Sequence, residues 1–176
     1  IGGAYYEAIL SVIPDEDKTS QLKKLSVAIE KLFGTKPTGM WLAERVWEQH
    51  IARYIPDAGL KYIVIDDTHF KYAGFSDEEL FGHYVTEEQG RTVNIFPISK
   101  VLRYTIPFQP VQRTIDYLRS IATEEGNRIA VFADDGEKFG VWPKTFDHVH
   151  TRGWLAEFFK ALSENADWIS IIHFKE

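Results

Sequence analysis

Cysteine is absent from all 176 residues. Disulfides and thiolate metal sites are thereby excluded, and the composition is compatible with a reducing cytoplasm, the expected location. No apolar run approaches the ~20 residues that a bilayer-spanning helix needs, so no membrane partner is expected. The opening residues hold no secretory-type apolar stretch. Basic residues are in the minority, with Lys plus Arg at 20 against 26 for Asp plus Glu and a net charge of -6. A nucleic-acid partner, which needs a basic footprint, is not expected. Gly-x-Gly-x-x-Gly and P-loop patterns are missing, which weakens a nucleotide-binding open sheet. No serine lies in a Gly-x-Ser-x-Gly elbow. What remains is an ordinary globular composition, 44% hydrophobic and 26% charged, with an aromatic share of 14%. One domain, or part of one, fits this length.

Residues 16–33 carry Leu22, Leu25, Ile29, Leu32 and Phe33 at helical spacing, bounded by Pro14 and Gly34. Gly39 to Ala43 predicts a short buried strand, and Trp47 to Ala58 a helix that Pro56 ends or kinks. Tyr62-Ile63-Val64-Ile65 has the continuous apolar character of a strand buried on both faces. Ser76-Asp77-Glu78-Glu79 has the form of a capping box before a short helix at Leu80-Phe81. Tyr84 to Glu88 and Arg91 to Phe96 flank Gln89-Gly90 and predict a hairpin insertion. Pro110 is placed to open a helix carrying Val111, Ile115, Leu118 and Ala122. Arg128 to Ala133 predicts a further strand. Trp154, Leu155, Phe158, Phe159 and Leu162 predict a helix, followed by a final strand over Trp168 to Phe174.

Strands alternating with helices imply parallel pairing with right-handed crossovers. A complete eight-stranded barrel takes ~250 residues, more than this chain has. The opening Ile1-Gly2-Gly3 reads as the tail of a strand, and the closing run as a strand with almost nothing after it. The expectation is a fragment of a longer polypeptide: residues 1–176 as one partial β/α-barrel domain, truncated at both ends.

Acidic residues follow three predicted strands: Glu44, then Asp66 and Asp67, then Asp134 and Asp135. In a parallel α/β fold these positions share the face where ligand sites form. Each alone is an ordinary N-cap or turn residue; three such positions, each beside aromatics or His, predict one cleft. Paired carboxylates suit glycosidic bond cleavage, in which one attacks or activates water while the other protonates the leaving oxygen. Burial and a like neighbour raise a carboxyl pKa, so the adjacent Asp134 and Asp135 are candidates for the protonated partner. Trp41, Trp47 and Trp142 flank these segments, and their flat faces suit stacking on sugar rings as well as they suit core packing.

Gly39-Met40-Trp41-Leu42-Ala43-Glu44-Arg45-Val46-Trp47-Glu48 resembles the nucleophile motif of glycoside hydrolase family 57. Asp134-Asp135-Gly136-Glu137-Lys138-Phe139-Gly140-Val141-Trp142 resembles its acid/base motif. Ile1 to Leu10, Tyr62 to Phe70 and Arg103 to Phe108 are also similar to that family, so the resemblance spans the chain. It is of the 4-α-glucanotransferase and α-amylase type. It implies an incomplete (β/α)7 barrel and a retaining mechanism on an α-1,4-glucan or maltooligosaccharide. By motif, Glu44 is the nucleophile and Asp135 the acid/base, with Asp134 tuning it. Trp41 and Trp142 line the substrate cleft, and Asp66, Asp67 and His69 are substrate-binding candidates. Glu137 and Lys138 are expected as a structural ion pair or loop clamp rather than as catalysts. No metal, no cofactor and no partner protein is required, and a homo-oligomer is compatible. The family's His-Gln-Pro tripeptide and its helical segment beyond the barrel do not occur, and Ala8 stands where proline is common.

Two other readings compete. Phe132-Ala133-Asp134-Asp135-Gly136 resembles the Asp-Asp-Gly motif of metal-dependent carbohydrate deacetylases, but only His148-Val149-His150, expected on an extended segment, offers a close His pair. A non-catalytic glucan-binding remnant is the other.

Overall fold

Four strands form one mixed sheet in the first half of the chain: β1 (Gly39–Trp41), β2 (Tyr62–Asp66), β3 (Tyr84–Glu88) and β4 (Arg91–Ile98). Their order is β1-β2-β4-β3, with β1, β2 and β4 parallel and β3 antiparallel to β4. The computed structural model describes residues 1–174, and the chain divides into two units, Ile1–Ile98 and Ser99–Glu176.

In the first unit, α1 (Asp15–Phe33) begins with three acidic residues, Asp15, Glu16 and Asp17, which suit the positive end of a helix dipole. It stops at Gly34, whose left-handed backbone (φ 68°) returns its N–H to the Glu30 carbonyl. Leu22 is fully buried, whereas Leu32 and Phe33, expected on the same buried face, are exposed. Ile63, Val64 and Ile65 of β2 are all buried, as its unbroken apolar run requires for a central strand. Ile63 and Ile65 pack with Leu10, Leu22, Met40, Leu42, Ile51 and Ile55. Each such side chain contributes about 1.5–3 kcal/mol on leaving water. Gly2 extends the sheet by one parallel bridge to Met40, in keeping with a strand tail at the opening.

The hairpin forms as expected, with Gln89 (φ 51°) and Gly90 (φ 75°) both left-handed, the geometry that follows strand twist. Its second arm runs on to Ile98 and pairs with β2, so it is also an interior strand. The capping box forms too: the Glu79 carboxylate accepts from the N–H and Oγ of Ser76, although the helical turn covers Asp77–Glu79 and ends before Leu80-Phe81. The helix expected from Trp47 is shorter, a 3-10 turn (Gln49–Arg53) running into α2 (Tyr54–Asp57). A short helix, α3 (Asp67–Tyr72), follows β2 directly.

The second unit is helical: α4 (Lys100–Thr105), α5 (Val111–Ile121) and α6 (Trp154–Glu164). Pro110 sits at the N-cap of α5 rather than inside it. Leu102, Ile106, Val111, Ile115 and Trp154 form its core. Two expected strands do not form ladders. In Arg128–Ala133 only Val131 makes a bridge, its carbonyl accepting from the Ser99 N–H, and Trp168–Phe174 is irregular. A strand needs a neighbouring strand, and its own apolar residues do not supply one.

Candidate functional site

Glu44 lies three residues beyond β1, in a tight turn (Ala43–Arg45). Leu42 and Ala43 are buried, and the chain then enters two consecutive left-handed residues, Glu44 (φ 53°) and Arg45 (φ 55°). For residues with a Cβ this conformation costs roughly 1–2 kcal/mol each. The reversal brings the Glu44 side chain to the surface directly after the core. The Arg45 N–H bonds the Leu42 carbonyl at 2.9 Å, closing the turn.

Arg45 gathers the neighbours that the sequence singles out. Its guanidinium lies 5.7 Å from the centre of the Trp41 ring, and its Nε is 3.9 Å from Asp66 Oδ2. Its carbonyl is 3.0 Å from His69 Nε2. A carbonyl only accepts, so Nε2 carries the proton. Asp66 caps α3, its Oδ1 accepting from the Thr68 N–H at 3.1 Å and Oγ1 at 2.7 Å. Asp67 is buried, with Lys71 Nζ 4.0 Å from its Oδ2. Trp41, Asp66 and His69 thus meet around the residue after Glu44, while Asp67 faces along α3. Arg45 is a residue that sequence reasoning missed, although it stands inside the quoted motif.

In the second unit, the Asp134 side chain is only 2% exposed and pairs with two cations: Lys138 Nζ at 2.5 Å and Arg103 Nε at 3.3 Å. Burial pushes its carboxyl up. The hydrogen bonds from Lys138 and from the Asp135 N–H, with the charges of Lys138 and Arg103, outweigh burial and hold it below the usual carboxylate range. Of the two roles expected for Lys138, an ion pair with Glu137 or a loop clamp, the contacts are those of a clamp: it is buried against Asp134, and Nζ also donates to the Arg103 carbonyl. Arg103, likewise, was not singled out by sequence. Asp135 is half-buried and stands at the N-cap position of the turn Gly136–Phe139. Lys138 Nζ lies 5.0 Å from the centre of the Phe108 ring, and Phe108 stacks on the exposed Trp142 ring at 6.3 Å and 10°. The stack leaves a flat aromatic surface in solvent.

A cleft lined by Ile1, Ile29, Phe33, Lys36, Pro37 and Thr38 adjoins the N-terminal end of β1, the opposite end from Glu44. Ligand sites of parallel α/β folds form at the carboxyl ends of strands, so it is not the candidate site. His148 and His150 lie in one helical turn (Asp147–Thr151), not on an extended segment, with their Nε2 atoms on the Pro107 and Phe139 carbonyls. Among the described residues no group of three His, Cys, Asp or Glu side chains could hold a metal ion.

Parallel strands followed by carboxylates and aromatic rings place the chain in the α/β class, as part of a β/α barrel. The chain belongs to glycosyl hydrolase family 57, whose model matches residues 1–176. It is 51% identical over 165 residues to alpha-amylase 1 of Dictyoglomus thermophilum, covering 94% of this chain and 24% of that one. It is 48% identical over 161 residues to the 4-alpha-glucanotransferase of Thermococcus litoralis, covering 92% and 24%. The crystal structure of 4-alpha-glucanotransferase from Thermococcus litoralis matches with a TM-score of 0.93 at 44% identity, covering 99% of this chain and 27% of that one. The chain spans about a quarter of the length of these relatives. The deacetylase alternative finds no support in them.

Proposed function

We propose that the complete protein acts on α-1,4-glucans by double displacement, transferring glucan segments between maltooligosaccharides. The observation that carries this reading is Glu44 itself: a carboxylate brought to the surface at a strand end by a backbone that glycine would adopt more readily. Such local strain is characteristic of residues retained for chemistry. Glu44 attacks the anomeric carbon as its bond to the departing glucan oxygen breaks, and Asp135 gives that oxygen its proton. The covalent glycosyl-enzyme is then opened by an incoming 4-hydroxyl, whose proton returns to Asp135. Water in place of the sugar acceptor gives hydrolysis.

Asp134 is held by two cations, Lys138 and Arg103, which suits it to order the turn that carries Asp135. Trp142 on Phe108 offers an acceptor sugar a stacking face, which favours transfer over hydrolysis. The names of the relatives, a glucanotransferase and an amylase, support the substrate class.

The test is incubation of the complete protein with maltotriose. Longer and shorter oligosaccharides at constant reducing-end content are expected, and Glu44→Gln is expected to abolish them. Undiminished turnover by Glu44→Gln would overturn its assignment, and rising reducing ends without longer products would replace transfer by hydrolysis.

A further inference from the structure

We infer that His69 is a positioning residue: its Nε2–H holds the Arg45 carbonyl and so fixes the turn that presents Glu44. The inference rests on the nucleophile role proposed above and assigns to His69 a task other than binding sugar. The geometry is specific. Glu44 and Arg45 are consecutive left-handed residues with side chains, a pair that persists only where surrounding groups over-determine it. Within the turn, the chain supplies the Arg45 N–H to Leu42 at 2.9 Å and the weaker Val46 N–H to Ala43 at 3.4 Å. From outside it, β2 and α3 supply two further contacts. Asp66 Oδ2 stands 3.9 Å from Arg45 Nε, and His69 Nε2 stands 3.0 Å from the Arg45 carbonyl. Asp66 performs both tasks at once, because its other oxygen caps α3 and thereby sets where His69 stands. Asp66-Asp67-Thr68-His69 is therefore one unit: a cap, a short helix and a donor directed back at the turn after β1.

This arrangement separates the contributions of binding and chemistry. A residue that holds the nucleophile without touching sugar influences kcat and leaves KM nearly unchanged, whereas a sugar ligand removed from the ground state raises KM. Misplacing a reacting group by about 1 Å costs on the order of 10²-fold in rate.

The experiment compares His69→Ala, His69→Gln and Asp66→Asn with Glu44→Gln in the complete protein, using maltooligosaccharide turnover and urea unfolding. His69→Ala is expected to lower kcat by ~10–100-fold with KM within about twofold. His69→Gln, which keeps a side-chain N–H donor, is expected to recover most of that loss, and Asp66→Asn to fall between. A raised KM with kcat retained would overturn the inference in favour of a sugar-binding histidine. Equal losses in His69→Ala and His69→Gln that follow the urea midpoint would overturn it in favour of a purely structural one. Full activity of His69→Ala beside a dead Glu44→Gln would sink the positioning role alone. Retained activity of Glu44→Gln would instead remove the reading beneath it.

Discussion

The turn that carries Glu44 keeps its shape against an unfavourable backbone, with two left-handed residues in succession. The turn that carries Asp135 passes through ordinary extended backbone (φ -66°, ψ 130°) and draws its order from a buried carboxylate between two cations. The two therefore have different weaknesses. The first is sensitive to what the backbone tolerates and to loss of a neutral donor, the second to charge and to acid. One chain thus holds its two candidate catalytic groups by independent means.

The largest expected effect falls on the charged side. Asp134→Asn leaves Lys138, whose side chain is 4% exposed, without its carboxylate, and costs about 3–5 kcal/mol. Urea unfolding measures this, and the double variant Asp134→Asn with Lys138→Met should recover part of it. A loss below about 1 kcal/mol in the single variant would show that the triad does not hold the turn.

Acid provides the second measure. Asp134 binds its proton more weakly in the folded chain than in the unfolded one. The stability it contributes is complete above the ordinary carboxylate value of ~3.9 and disappears as pH falls through its lower folded value. Urea midpoints recorded from neutral pH into this acid window should fall less steeply in Asp134→Asn than in the parent.

On the backbone side, Gly39→Ala places a Cβ 2.1 Å from the Tyr62 ring, which must swing away. The expected cost is about 1–3 kcal/mol, and Tyr62→Ala in the same chain should remove the penalty. The smallest effect has the opposite sign. Glu44→Gly relieves one left-handed side chain, so the urea midpoint should rise by an amount equivalent to about 1 kcal/mol while turnover disappears. A fall in midpoint would mean that the Glu44 side chain contributes contacts worth more than the strain.

What was legible in the sequence was mostly local. The capping box at Ser76, the Gln89-Gly90 turn and the unbroken apolar run of β2 each carry their geometry within a few residues, and each forms. The parallel pairing of β1 with β2 and the carboxylates after both strands followed from that pattern, whereas the place of β4 inside the sheet did not. The non-local features were harder to read. Arg128–Ala133 has strand-like residues, but only Val131 finds a bridge. Lys138 has three acidic residues within the four positions before it, Asp134, Asp135 and Glu137. Only the fold decides that the one four positions back is buried with it, as helical spacing would allow. The left-handed pair at Glu44 and Arg45 was invisible because neither residue type announces such a conformation. Arg45 beside Glu44 offered the one usable signal, a cation next to the candidate nucleophile.

β4 takes part in two ladders at once, with β2 on one side and β3 on the other. A shift of one residue along it would turn Val93 and Ile95 out of the core and misalign both neighbours together, so neither pairing can drift alone. Its far end at Gln89–Gly90 is free of that obligation. There the polypeptide can accept extra length, which makes the hairpin tip a natural attachment point for a tag or a reporter.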